Sequence, residues 1–168
     1  MYYDAILQCT QAFLAVETML DKAALHADLK KFDVGVLMNS RLAPDMAPFI
    51  YQIQSASDYL KAGAAWLSGQ KPPSFEDNER TIDEVRTRIR KTVAFTKSVM
   101  ADQYAHAREQ RVKVSWVPGK IIEGQDYLLQ MVIPNVYFHI AMAYAILRKD
   151  GVDVGKLDFL GPMNFIAE

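Results

Sequence analysis

Three histidines, one cysteine and a proline-interrupted polar cluster are the residues of this chain whose types could do chemistry. The densest of these is Pro134-Asn135-Val136-Tyr137-Phe138-His139, which sets a proline, an asparagine and a histidine in an otherwise apolar segment. A proline removes a backbone donor and disturbs a helix, and a buried helix has no need of Asn or His. Asn135 and His139 are one helical turn apart and project toward the same region, with Tyr137 alongside. Gln52 on an earlier helix can face them, and Asp45 can look in from the end of the bundle. Neutral amides are poor catalytic bases and weak zinc ligands. Gln52, Asn135 and His139 therefore suit a hydrogen-bonding pocket better than a hydrolytic centre. A core histidine bonded to the chain, a ligand-contacting histidine and a metal-ligating one all stay open for His139.

The other groups read more plainly. His26 sits at the solvent-facing end of the first helix, and His106 lies in a mixed polar stretch. Cys9 falls on an apolar stripe, where a buried inert thiol is the natural reading. No metal-binding, phosphate-cradling or nucleophile-elbow motif is present. Arg86, Arg88, Arg90, Lys91 and Lys97 follow Glu76, Asp77, Glu79, Asp83 and Glu84, the order of charges a solvated helix prefers along its dipole.

These residues need elements to hold them. Apolar residues from Asp4 to about Lys31 recur at steps of three and four, predicting a first long helix. The stretch from Phe32 to Ala43 reads as a connection with one short helical turn. A second helix starts near Asp45 to Pro48, with Asp45 as its cap, and ends at Gly69. Thr81-Ile82-Asp83-Glu84 has capping-box spacing for a third. Alternation over Arg111 to Val117, a Pro118-Gly119 turn and Lys120-Ile121-Ile122 predict a small hairpin. The fourth helix runs from about Gln125 to Lys149, disturbed at Pro134. The tail through Leu157, Phe159 and Leu160 is apolar enough to dock across the bundle. An all-α four-helix bundle with a β-hairpin between helices three and four is the expected architecture, as one domain over 1–168.

Composition sets the outer bounds. The 168 residues, 51% hydrophobic, suffice for one real core. A net charge of -1 gives no general pull on nucleic acid. The continuous apolar runs are short and the N-terminus lacks a basic, apolar leader, so neither a membrane partner nor a secretory signal is expected. A lone cysteine fits a reducing compartment, and a cytoplasmic location is expected.

Four segments together resemble an uncharacterised bacterial family similar to the DinB/YfiT-like superfamily. They are Arg41-Leu42-Ala43-Pro44-Asp45-Met46, the Pro134 to His139 stretch, Tyr144-Ala145-Ile146-Leu147-Arg148, and Lys156-Leu157-Asp158-Phe159-Leu160-Gly161. The resemblance implies an up-down-down-up bundle, commonly a homodimer, in a superfamily that includes metal-dependent thiol transferases and isomerases. Its metal site joins a histidine of helix two to a His-x-x-x-His pair of helix four. Here that pair reads Asn135-x-x-x-His139, and Pro48 to Tyr59 holds no histidine, with Gln52 the nearest candidate. The expectation is a small-molecule pocket around His139 with a degenerate metal site and no cofactor. The alternatives are a divalent metal (Zn, Ni or Mn) on His139 serving thiol chemistry, or a dimeric interaction module without catalysis.

Overall fold

The computed structural model describes residues 1–166; Ala167 and Glu168, the end of the expected domain, lie outside the described residues. Helices α1 (Tyr2–Leu14) and α2 (Val16–Lys30) replace the single expected first helix. The hitch at Ala15 is slight. Its backbone stays helical while Thr18 N–H donates to its carbonyl at 3.2 Å, a tightened turn. The apolar stripe runs straight through it, burying Ile6, Cys9, Phe13, Val16, Leu20 and Ala27. α2 stops at Lys31, whose φ of 61° is left-handed.

The connection carries α3 (Gly35–Asn39) as expected, and α4 (Phe49–Leu67) follows. Asp45 does not cap α4. Pro48 holds the cap position in extended backbone, and Phe49 N–H is taken by the carbonyl of Ser40 at 2.9 Å. Asp45 lies exposed in the preceding turn. α5 (Ile82–Ser98) begins at the expected capping box, with Thr81 Oγ1 accepting from Glu84 N–H and the Glu84 carboxylate accepting from Thr81 N–H.

The hairpin is shorter than the alternation predicts. β1 (Arg111–Lys113) pairs antiparallel with β2 (Ile121–Glu123), placing Val112 opposite Ile122, and the residues between form a loop. Val112 is buried beneath it and Trp116 is exposed. Then come α6 (Gly124–Asp126), a π-helical segment (Tyr127–Val132) and α7 (Ile133–Lys149), one continuous helix from Gly124 to Lys149. Pro134 is accommodated through the π turn rather than a break. A proline ring collides with the carbonyl four residues back in α geometry, and widening the preceding turn moves that carbonyl away.

α4 packs against both α5 and α7, and α1 closes the bundle by packing against all three. The tail does not dock through its leucines. In α8 (Lys156–Leu160) nothing is buried; Leu157 and Leu160 are exposed. Phe159 instead sets its edge on Tyr144, and the Asp158 carboxylate accepts from Lys22 Nζ at 2.7 Å.

The basic run on α5 is exposed at Arg90, Lys91 and Lys97, as expected, but not at Arg88. Arg88 is buried and clasps the α4–α5 linker, donating to Glu79 at 2.5 Å, to the Glu76 carbonyl at 2.8 Å and to Asp77. Arg86 bridges to Glu17 and Asp21 of α2, and Arg90 to Glu17.

Candidate functional site

Helix faces bring Gln52 and His139 together although they are 87 residues apart. His139 Nδ1 lies 2.8 Å from Gln52 Oε1. The tautomer follows from the neighbours. Gln52 Nε2 donates to the Ala47 carbonyl at 3.0 Å, which fixes the amide with its oxygen toward the histidine. That oxygen only accepts, so the proton of the neutral ring sits on Nδ1. Nε2 is left as an acceptor. It has no hydrogen-bond partner among the described residues and is not one of the sealed, unpartnered atoms. Burial alone holds the His139 pKa below its ordinary value, so the ring is neutral at physiological pH.

Aromatic rings frame the imidazole. Tyr59 stacks on it with centroids 5.9 Å apart and planes at 20°, while Tyr51 and Phe138 meet it edge-on at 6.3 and 5.2 Å. Tyr51 and Phe138 are exposed. Phe138 did not stand among the sequence candidates, whereas Tyr59 and Tyr51 belong to an aromatic ladder the sequence shows, read chiefly as core or interface. Tyr59 was within reach of sequence reasoning, lying seven residues after Gln52 and so on the same face of α4.

The remaining candidates are placed elsewhere or occupied. The Asn135 amide donates to the Met131 carbonyl at 2.7 Å, within the π-to-α transition, and serves the backbone there. Tyr137 is two residues from His139, off its face, and packs half-buried on the core. Asp45 makes no hydrogen bond with the His139–Gln52 pair among the described residues. Cys9 is buried, and burial pushes its thiol up to about 11, which keeps it unreactive. His106 is exposed, and His26 packs edge-on against Phe32.

A groove of about 240 Å³ that Tyr59 also lines lies between α4, the π-helical segment and the hairpin loop. Tyr59, Trp66, Trp116, Tyr127 and Met131 line it, and His139 does not.

The donor set does not fit a divalent metal of the zinc, nickel or manganese class. Such an ion takes three or four protein ligands. Here one imidazole nitrogen is free, while the Gln52 amide and the Asn135 amide nitrogen are already bonded to the chain. Among the described residues no three His, Cys, Asp or Glu side chains come together.

Residues 1–160 match a domain of unknown function, DUF1993. No curated protein matches the chain. Among solved structures, the chain is similar to the crystal structure of a DinB family member protein from Shewanella denitrificans. The two are 38% identical, superpose with a TM-score of 0.95, and the match covers 99% of this chain and 95% of that one. The chain belongs to the DUF1993 family and has the all-α DinB-like fold, with an antiparallel hairpin between its helices.

Proposed function

We propose that this protein binds a small organic molecule and works without the three-histidine metal centre of its wider superfamily, offering His139 as a neutral hydrogen-bond acceptor. One observation carries this reading. Gln52, held by Ala47, keeps the proton on Nδ1 and leaves the Nε2 lone pair free in an aromatic frame. A free acceptor bordered by Tyr51, Tyr59 and Phe138 suits an apolar ligand that carries one N–H or O–H donor. A cytoplasmic location belongs to the same proposal and rests on the single reduced cysteine.

Elemental mass spectrometry of untagged protein, after incubation with zinc, nickel or manganese and desalting, tests the metal-free half. Retention well below one ion per chain is expected. Near-stoichiometric retention that disappears in His139→Ala would restore the metal-dependent thiol-transferase reading. The acceptor half is read by nitrogen-resolved NMR of the imidazole: donor-bearing aromatic fragments should shift Nε2 and leave Nδ1 protonated.

Pairing of two copies is favoured by a separate observation. No Asp, Glu, Lys or Arg occurs from Tyr127 to Leu147, yet Phe138 of that helix is exposed, as is Tyr51 of α4, and both rings meet His139 edge-on. A twofold interface sets a patch against itself, and an uncharged patch meets no like-charge repulsion there. We take a second copy to cover this face.

A further inference from the structure

The Tyr127 hydroxyl finds no acceptor among the described residues. The residue is 4% exposed, and its oxygen has no hydrogen-bond partner among the described residues. Nor is it sealed away, as the unpartnered oxygens of Tyr2, Tyr104 and Asp150 are. A buried phenol that is neither bonded nor sealed opens onto the space it lines, which is the groove beneath the hairpin loop. A hydroxyl reachable in this way is free to donate to a molecule that enters the groove.

The rest of the groove narrows what that occupant is. Trp66, Trp116, Tyr59 and Met131 present flat, polarisable surfaces suited to an aromatic ring. Two charged residues, Asp58 and Lys113, also line the groove. The Asp58 carboxylate is already engaged by Lys61 and by Arg88, the latter at 3.3 Å. Lys113 has no carboxylate partner among the described residues. Of the two charged lining residues, Lys113 is therefore the one left to meet a charged ligand, since Asp58 already takes part in the Lys61 and Arg88 ion pairs. A volume of about 240 Å³ lies below the roughly 300–1,000 Å³ of ordinary ligand pockets and limits the occupant to one or two rings.

We propose that this groove binds a small planar arene carrying one carboxylate, its ring among Trp66, Trp116 and Tyr59, its oxygens accepting from Tyr127 and facing Lys113. The site shares only the Tyr59 ring with the His139 site and does not depend on His139.

Calorimetric titration of the full chain with 2-naphthoate, beside its neutral counterpart 2-naphthylmethanol, tests the assignment. The acid is expected to saturate and to bind about 10-fold tighter than the alcohol, the range of a charge-assisted hydrogen bond. Tyr127→Phe keeps the shape and should weaken the acid about 10-fold while leaving the alcohol unchanged. Lys113→Gln, at an exposed position, should erase most of the preference for the acid, and carries the test alone should Tyr127→Phe unfold. His139→Gln should leave the acid's affinity intact, which separates this site from the one proposed above. Absence of saturation at millimolar acid, equal binding of acid and alcohol, or an acid affinity untouched by Tyr127→Phe would each overturn the proposal.

Discussion

Protonating His139 would put a positive charge where the ring is cut off from water, and that burial holds its pKa below the ordinary 6.5. The sign follows from linkage. Above the unfolded value both states are neutral and the contribution is whole; as pH falls below about 6.5 the unfolded chain takes up a proton that the folded chain resists. Stability is therefore lost toward acid. At pH 7, His139→Gln should cost about 1–3 kcal/mol, since it removes the Gln52 bond and the Tyr59 stack. The gap between wild type and variant, measured by urea denaturation, should narrow from about pH 7 to about pH 5. A gap that stays constant would mean that His139 protonates freely in the folded protein.

Two elements depend on single contacts that their own sequence hides. The α4–α5 linker is held by Arg88, and the weight falls on Glu79, whose side chain is only 9% exposed, rather than on the half-exposed Asp58 and Asp77. Burial alone would raise the Glu79 pKa, but hydrogen bonds from Arg88 and Gln54 outweigh it and set it below the usual carboxylate value. Its stabilising share is whole above the unfolded value near 4.5 and is lost as pH falls through the lower folded one. Arg88→Met strands that carboxylate and should cost about 3–5 kcal/mol at neutral pH by thermal or urea unfolding, with the linker the first segment to gain hydrogen exchange.

The π-helical segment depends on Gly63. A Cβ there would stand 2.6 and 2.9 Å from the two methyls of Val132, itself fully buried. Gly63→Ala should destabilise by about 1–3 kcal/mol, and Val132→Ala in the same chain should recover part of that loss by giving the new methyl room. What could be read along the chain follows the reach of each interaction. The Thr81–Glu84 capping box is local and appears where its spacing puts it. The Gln52–His139 pair was accessible because each residue lies on an inward helix face. Arg88 was not, because its acceptors arrive from Asp58 and from a linker whose path no periodicity encodes. Pro134 signalled a disturbance, but whether a helix kinks or widens is decided by the packing of neighbours such as Gly63.

Over the whole molecule, apolar surface and burial are mismatched at one place. The helix Gly124–Lys149, of 26 residues, holds an 18-residue window of mean hydropathy 1.3 and is by length and composition apolar enough to cross a membrane, yet only 28% of that window is buried. One face is fully used: Val136, Ile140, Ala143, Ile146 and Leu147 are core. A helix packed in this way against α1 and α4 has a bundle to account for its buried face, and what needs covering is the opposite one. There Phe138 is 52% exposed, and it meets the His139 ring as does Tyr51, itself 49% exposed. Such aromatic, charge-free surface is what the centre of an obligate interface looks like. Sedimentation equilibrium at micromolar concentration should therefore give twice the 19.0 kDa chain mass. Phe138→Glu would set two carboxylates near the twofold axis and should give monomers, with little loss of intrinsic fold because the position is open to solvent within one chain. Since Phe138 also borders His139, the same variant should increase solvent access to Nε2, so its imidazole resonances report pairing and site closure together. A monomeric mass for the wild type would leave the exposed face as the wall of the His139 site alone.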